Sequence, residues 1–275
     1  MKKSILLWIL AFVITLASAY YQRVTGPTYP LTGKIKLANE EVKYKLDRTH
    51  SGFSNHQIKI QIKGRNVSGI LYWRRYKTDD EWTKVEMIRQ NDSLVAELPA
   101  QPSAGKLMYK ISLNVNEQEI SFPEQPVVIR FKGDVPLPIL IPHVLFIFLA
   151  MLLSTRTGIE IFSSAPQLKV FTVWTFVFLL LGGFLFGPIV QKYAFGEFWT
   201  GVPFGFDLTD NKTLIALIGW IFAAVALIKK KNEKFWITFA AVLMLIIFLI
   251  PHSVLGSELD YKKLDKEKPK VENVK

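Results

Sequence analysis

Five apolar blocks and one long alternating stretch divide the chain. The blocks cover residues 5–19, 137–153, 170–190, 214–228 and 235–250. Each runs about 15–21 residues, which at about 1.5 Å per residue spans or nearly spans a hydrocarbon core of about 30 Å. Between the first two blocks, residues 23–132 alternate instead. Ile58-Lys59-Ile60-Gln61-Ile62-Lys63 has the period of two of a half-buried strand, Gly64-Arg65-Asn66 interrupts it, and residues 69–76 resume it. Further strands are expected at 83–88, 93–98, 107–114 and 126–130, separated by Asn91-Asp92, the Pro- and Gly-containing residues 99–105, and residues 114–116. Six or more short strands at intervals of about 8–12 residues predict an antiparallel sandwich.

The expected fold is therefore a membrane α-helical bundle, an N-terminal anchor plus four transmembrane helices, with an inserted all-β sandwich. Its expected parts are an anchor or signal peptide at 1–21, the β domain at 22–134, a four-helix membrane domain at 135–252 and a charged tail at 253–275. Lys2 and Lys3, the apolar run and Ala17-Ser18-Ala19 fit a cleavable signal peptide. Tyr20 and Tyr21 equally suit the interface of a retained helix, the preferred reading. Either sends the β domain across the membrane.

Charge fixes the orientation. Lys229, Lys230, Lys231 and Lys234 sit in the short link between the last two blocks, so that link is expected in the cytoplasm, as is the link carrying Arg156 and Lys169. The β domain, the aromatic loop at 191–213 and the tail then lie outside, in a bacterial inner membrane protein that crosses several times. The tail lysines run against this rule, though Asp260, Asp265, Glu267 and Glu272 offset them. The excess of 34 Lys and Arg over 23 Asp and Glu, +11 in all, flanks apolar blocks or scatters over the β region. With no basic helix and no nucleic-acid motif, nucleic acid is not an expected partner; the bilayer and another membrane or envelope protein are. No charged residue falls inside a block, which argues against a transporter or channel. The chain has no Cys, so disulfides and thiolate chemistry are excluded.

Tyr72-Trp73-Arg74-Arg75-Tyr76, then Trp82, Val85-Glu86-Met87, Leu94-Val95-Ala96-Glu97-Leu98-Pro99 and Ala104-Gly105-Lys106-Leu107-Met108-Tyr109-Lys110 together resemble immunoglobulin-like or fibronectin-III-like modules. The likeness covers little more than residues 70–113. It implies an immunoglobulin-like sandwich and no catalytic residues, because such modules present surfaces. Trp73 and Trp82 are read as core aromatics in preference to carbohydrate platforms. Residues 21–30, 187–196 and 251–258 resemble bacterial polytopic membrane proteins of unassigned function, which implies no activity.

Chemistry is sparse. The outer loop carries Tyr193, Trp199 and Phe204 among glycines, and its bland reading is an interfacial aromatic belt with Asp207 or Asp210 capping the next helix. The sharper reading is a re-entrant plug over a pocket. His143 and His252 each follow a proline at the outer end of a block, in one leaflet with Glu197, Asp207, Asp210 and Glu258. This candidate polar cluster, expected beneath Trp199 and Phe204, could clamp the loop or hold a divalent metal or haem iron. Yet no ligand pair at helical spacing and no metalloprotease motif is present, so no cofactor is expected. His50 and His56, in the β region, carry less signal still. No catalytic signature is visible. The leading expectation is a non-catalytic membrane subunit or scaffold presenting its β domain to a partner; a redox, metal or haem protein is the alternative, and a transporter or channel a further one.

Overall fold

The computed structural model describes residues 2–37, 40–63, 66–115, 118–163 and 166–267. Gly64 and Arg65 of the expected strand break, Asn116, and the tail beyond Glu267 with Glu272 lie outside the described residues. The chain divides into two compact units, one of residues 1–27 and 135–257 and one of residues 28–134 and 258–275.

The second unit is rich in β-sheet. Strands β1 (Leu31–Leu37) and β2 (Glu40–Leu46) form a two-stranded sheet. The others are β3 (Thr49–Ser51), β4 (His56–Gln61), β5 (Val67–Arg75), β6 (Thr83–Glu86), β7 (Ile88–Gln90), β8 (Ser93–Leu98), β9 (Lys106–Val115) and β10 (Gln118–Lys132). They build a five-stranded sheet in the order β3-β10-β9-β5-β6 and a three-stranded sheet in the order β4-β8-β7. All these pairings are antiparallel except β3 with β10.

Alternation sets the faces. In β4 every second residue, His56, Ile58 and Ile60, is buried, and β9 buries Leu107, Tyr109, Ile111 and Leu113. A slip of one residue would turn either set outward. Ile58, Ile60 and the four β9 residues share one core with Leu46, Leu71, Leu98, Phe122 and Phe131, so side chains of all three sheets meet in it. Each fully buried Leu or Ile contributes about 1.5–3 kcal/mol.

Two departures from the expected strands have local causes. The run 83–88 is two strands in different sheets, with buried Met87 at the crossing between them. The strands β1, β2 and β3 were not expected, because lysine and glutamate crowd residues 34–45 and hide the inward set of Leu37, Val42 and Leu46.

The other unit is helical. Helix α1 is Lys2–Val24, and α2 (Leu137–Gly158) continues as a 3-10 turn over Ile159–Phe162. Helix α3 (Leu168–Leu179) passes through a π-helical stretch, Leu180–Phe186, into α4 (Gly187–Phe195). Then come α5 (Leu208–Ile228) and α6 (Glu233–Leu249). Among the described residues, four stretches are long and apolar enough to cross a membrane: Lys3–Val24, Leu137–Phe162, Leu168–Phe195 and Leu208–Ile228. Helix α6, of 17 residues, is apolar after Glu233 and Lys234. Small residues let the helices approach: Ala150, Ala216, Ala223 and Ala240 pack around Trp220 and Met244, and a Cβ on Gly158 would stand 2.6 Å from that of Ala241.

These helices outrun the apolar blocks. The expected interior carried no charge, but the apolar stretches of the structure include Arg156, Glu160, Asp210 and Lys212, all buried. The absence of intramembrane charge thus held for the blocks and fails for the helices. A last helix, α7 (Tyr261–Glu267), lies in the tail and belongs to the β unit.

Candidate functional site: a polar latch at one end of the helical unit

Asp207 precedes α5, where the first backbone N–H groups of a helix lack partners. Its Oδ1 accepts from Thr209 N at 2.7 Å, and its Oδ2 accepts from Ser257 N and Oγ at 2.7 and 2.8 Å. One carboxylate therefore caps α5 and pins the segment that follows α6. Burial alone would raise its pKa, but the Ser257 and backbone donors outweigh it and hold the group below the usual carboxylate range.

Asp210, one turn on, folds the preceding loop back. Its Oδ2 accepts from Thr200 N at 2.6 Å, from Gly201 N and Gln191 Nε2 at 3.0 Å each, and from Thr200 Oγ1 at 3.3 Å. Gly201 is required here, because a Cβ would lie 2.7 Å from that of Asp210. Asn211 adds a bond from Val202 N at 2.8 Å.

The C-terminus of α6 is held from two other helices. Lys212 of α5 donates to Ile250 O at 2.8 Å, and Gln22 of α1 donates to Phe248 O at 2.6 Å and Ile250 O at 3.1 Å. A cation and an amide thereby satisfy carbonyls that a helix end leaves open. Beside them lies a crevice of about 20 Å³, room for roughly one water molecule, lined by Gln22, Ile147, Thr213, Lys212, Phe248 and His252 among others.

The expected cluster is brought together only in part. Asp207 and Asp210 are buried in the latch, and exposed His252 lines the crevice beside Lys212. The His143 ring lies within α2, where Nδ1 donates to Gly182 O of the π-helical stretch at 2.9 Å. Glu197 is exposed. Glu258 is not in the helical unit: it joins the β unit, with both carboxylate oxygens 2.6 Å from an ammonium, of Lys77 and Lys106. Trp199 stacks on Phe184 at 5.7 Å and donates to Val202 O, but Phe204 is 82 % exposed and roofs nothing. Tyr193, Phe198 and Phe206 are exposed as well. Among the described residues no group of three or more His, Asp or Glu is placed to hold a metal ion.

Sequence reasoning missed a second buried polar centre. Arg156 of α2 forms an ion pair with Glu160 one turn on, both about 1 % exposed. The guanidinium lies 5.4 Å from the Trp8 ring of α1 and 5.0 Å from the Phe171 ring of α3. The other Glu160 oxygen accepts from Gln167 N at 2.9 Å, at the start of α3. One pair thus ties three helices. Its signal was legible as opposite charges at i, i+4 beside an apolar block.

In the β unit, the tail is anchored by Tyr261, whose hydroxyl donates to Gln101 Oε1 at 2.9 Å. Arg75 lies over its ring at 5.0 Å and pairs with Asp265 at 2.8 Å, while Leu259 N donates to Ala104 O. On the five-stranded sheet, Trp73 packs against the core, but Trp82 faces Arg74 and Lys110 at 4.8 and 5.5 Å. Lys84 and Lys110 flank Tyr72 in the same way. Comparison with known proteins finds no family model that matches the chain and no curated protein significantly similar to it.

Proposed function

We propose that the chain is a non-catalytic integral membrane protein, an accessory or scaffolding subunit that presents an immunoglobulin-like β sandwich outside the cytoplasm to a membrane or envelope partner. One observation carries this reading: the polar side chains of the latch are occupied by the fold itself. Asp207, Asp210, Lys212, Gln22 and His143 all bond backbone groups of their own unit. They brace helix ends and offer no free acid, base or nucleophile. The buried charges that would suggest transport are likewise engaged, Arg156 with Glu160 and Lys212 with α6.

Topology supports the same reading. Tail residues 258–267 pack with the β domain in one unit, so both occupy one side of a membrane. An even number of crossings must then separate Asp134 from Glu258. The path through α2, α3 to α4, α5 and α6 supplies four only if the shorter α6 also spans. With the lysine-rich link after α5 inside, the β domain, the latch and the tail are outside, in the manner of a bacterial inner membrane protein. The Lys84, Tyr72, Lys110, Arg74 and Trp82 face is the surface offered to the partner.

The test joins topology to partnership. Reporters fused near Asn91 and Pro203 should read outside, and one near Asn232 inside. Cross-linking in intact cells should then capture one recurrent envelope partner, and Tyr72→Ser with Lys110→Glu should abolish its capture. Asn91 and Asn232 on one side would overturn the topology. A partner retained by the double variant would remove the proposed surface.

A further inference from the structure

His50 is the middle residue of β3 and His56 opens β4, and the short connection between the strands brings the rings to a centroid separation of 4.8 Å with Nδ1 facing Nδ1 at 3.1 Å. The remaining nitrogens decide what this contact is. His50 Nε2 lies 3.1 Å from Ser54 O and 3.3 Å from Ser54 Oγ. The nearer carbonyl only accepts, so in the tautomer it selects that nitrogen carries the proton and a neutral His50 presents a bare lone pair at Nδ1, while the Ser54 hydroxyl can donate only to the opposite tautomer. If His56 donates to that lone pair from its own Nδ1, its Nε2 is left bare, buried and 3.7 Å from the Asp47 carboxylate. If Nε2 holds the proton towards Asp47, two lone pairs confront each other at 3.1 Å. In that tautomer no arrangement of two neutral rings satisfies both Nδ1 atoms and the buried His56 Nε2. A cation between the Nδ1 atoms engages both lone pairs and lets the His56 Nε2 proton face Asp47 at 3.7 Å.

We infer that His50 and His56 form a two-imidazole site for a divalent transition-metal ion of the copper, nickel and zinc class, with Ser54 and Asp47 orienting the rings. The spacing fits: nitrogens about 2.0–2.1 Å from one ion, subtending about 90–110°, lie about 2.9–3.4 Å apart. So does the surrounding shell, since a ligating histidine turns its other nitrogen to a carbonyl or carboxylate. Phe131 closes one side of His50, edge-on at 5.4 Å, and His56 pairs across the sheet with Leu98. Acidic groups about the pair are Asp47 beside His56, Asp134 against Gly52 in the connecting turn, and Glu97 bonded to Asn55, while β10 brings Arg130 and Lys132 opposite Thr49 and Ser51 of β3. A proton competes for the site, but burial and then the neighbouring His50 lower the His56 pKa, which favours the metal near neutral pH. Water and solvent-side ligands complete the coordination.

The full-length protein in detergent, titrated with Cu2+ at pH 7.5, tests this by paramagnetic resonance. One equivalent should bind with hyperfine structure from two nitrogens, Zn2+ should compete, and His143→Ala with His252→Ala should change nothing. His50→Ala and His56→Gln should each weaken binding at least tenfold, and the pair together little more. Should His56→Gln fail to fold, the half-buried His50→Ala and the wild-type pH profile decide, with affinity falling at least tenfold between pH 7.5 and 5. No stoichiometric binding, a two-nitrogen signal that survives His50→Ala, or a pH-independent affinity would overturn the site.

Discussion

The two units bury polar side chains to very different extents. The core of the β unit is built from Leu, Ile, Val and aromatic residues, and its ion pairs, such as Lys77 and Lys106 with Glu258, sit at the surface. The helical unit buries Arg156, Glu160, Asp207, Asp210 and Lys212 and exposes many of its Leu, Ile and Phe side chains. Water drives the first arrangement, because apolar area removed from it stabilises the fold. Helices long and apolar enough to cross a membrane would gain little by that route in lipid, whose tails are as apolar as leucine. Close packing of small residues and paired polar groups hold such helices together instead. Polar side chains thus have opposite weight in the two units: decoration in one, fastening in the other.

The sharpest way to break this contrast is Arg156→Leu. It leaves the Glu160 carboxylate buried without its partner and should cost about 3–5 kcal/mol, read as a lower melting point in detergent. Arg156→Leu with Glu160→Leu should regain most of the loss, as apolar replacement of a whole buried pair usually does. A single variant that melts like wild type would mean the pair fastens nothing. In the β unit the matching change is apolar. Leu113→Ala at a fully buried position should cost about 3 kcal/mol. The β unit buries Arg130 as well, so the contrast is one of weight and not of kind.

What the sequence revealed followed the same divide. Alternation at 58–63 and 107–113 announced strands because inward and outward residues differ in polarity. Apolar length announced the helices for the corresponding reason. The latch was half legible: Asp207 as a helix cap is a local signal, and it caps α5. Its hold on Ser257, the Lys212 and Gln22 bonds to the end of α6, and the Arg156 junction with Trp8 join residues far apart in the chain. No periodicity reports such pairings. Glu258 was grouped with the histidines by position alone, and its docking beside Lys77 and Lys106 depends on the tertiary fold of the β unit. The histidine contact of β3 and β4 was hidden likewise, because five intervening residues form no standard ligand spacing.

A smaller effect separates the latch from the buried pair. Asp207→Ala removes one cap and the Ser257 bonds and should cost about 1–2 kcal/mol, visible as faster amide exchange at Thr209 and Ser257. Because the Asp207 pKa is lowered in the folded protein, this stabilisation is present at neutral pH. It should fade only as acid takes the group through a value below the ordinary 3.8. Loosening between pH 7 and 5 would assign the latch to some other group.

The smallest effect expected is at the docked tail, where water surrounds the charges. Glu258 is about a third exposed and Lys77 about two thirds, so screening limits their pair to about 1 kcal/mol or less. Burial opposes ionisation of Glu258, but bonds from Lys106 and then Lys77 outweigh it and lower its pKa. A lowered carboxylate pKa stabilises the docked state above the unfolded value near 4.5 and loses that contribution as pH falls through the folded value. Exchange at the Leu259 amide, which donates to Ala104 O at 3.1 Å, reports on docking once corrected for intrinsic rates. Protection should hold from pH 7 to about 5 and weaken below about 4.5. Glu258→Gln should show the weaker protection at every pH, with a flatter profile. Tyr261→Ala should lose far more, because a nearly buried ring and its bond to Gln101 anchor the segment. If Glu258→Gln undocks the tail as fully as Tyr261→Ala does, charge dominates at the surface of the β unit too, and the contrast between the units collapses there.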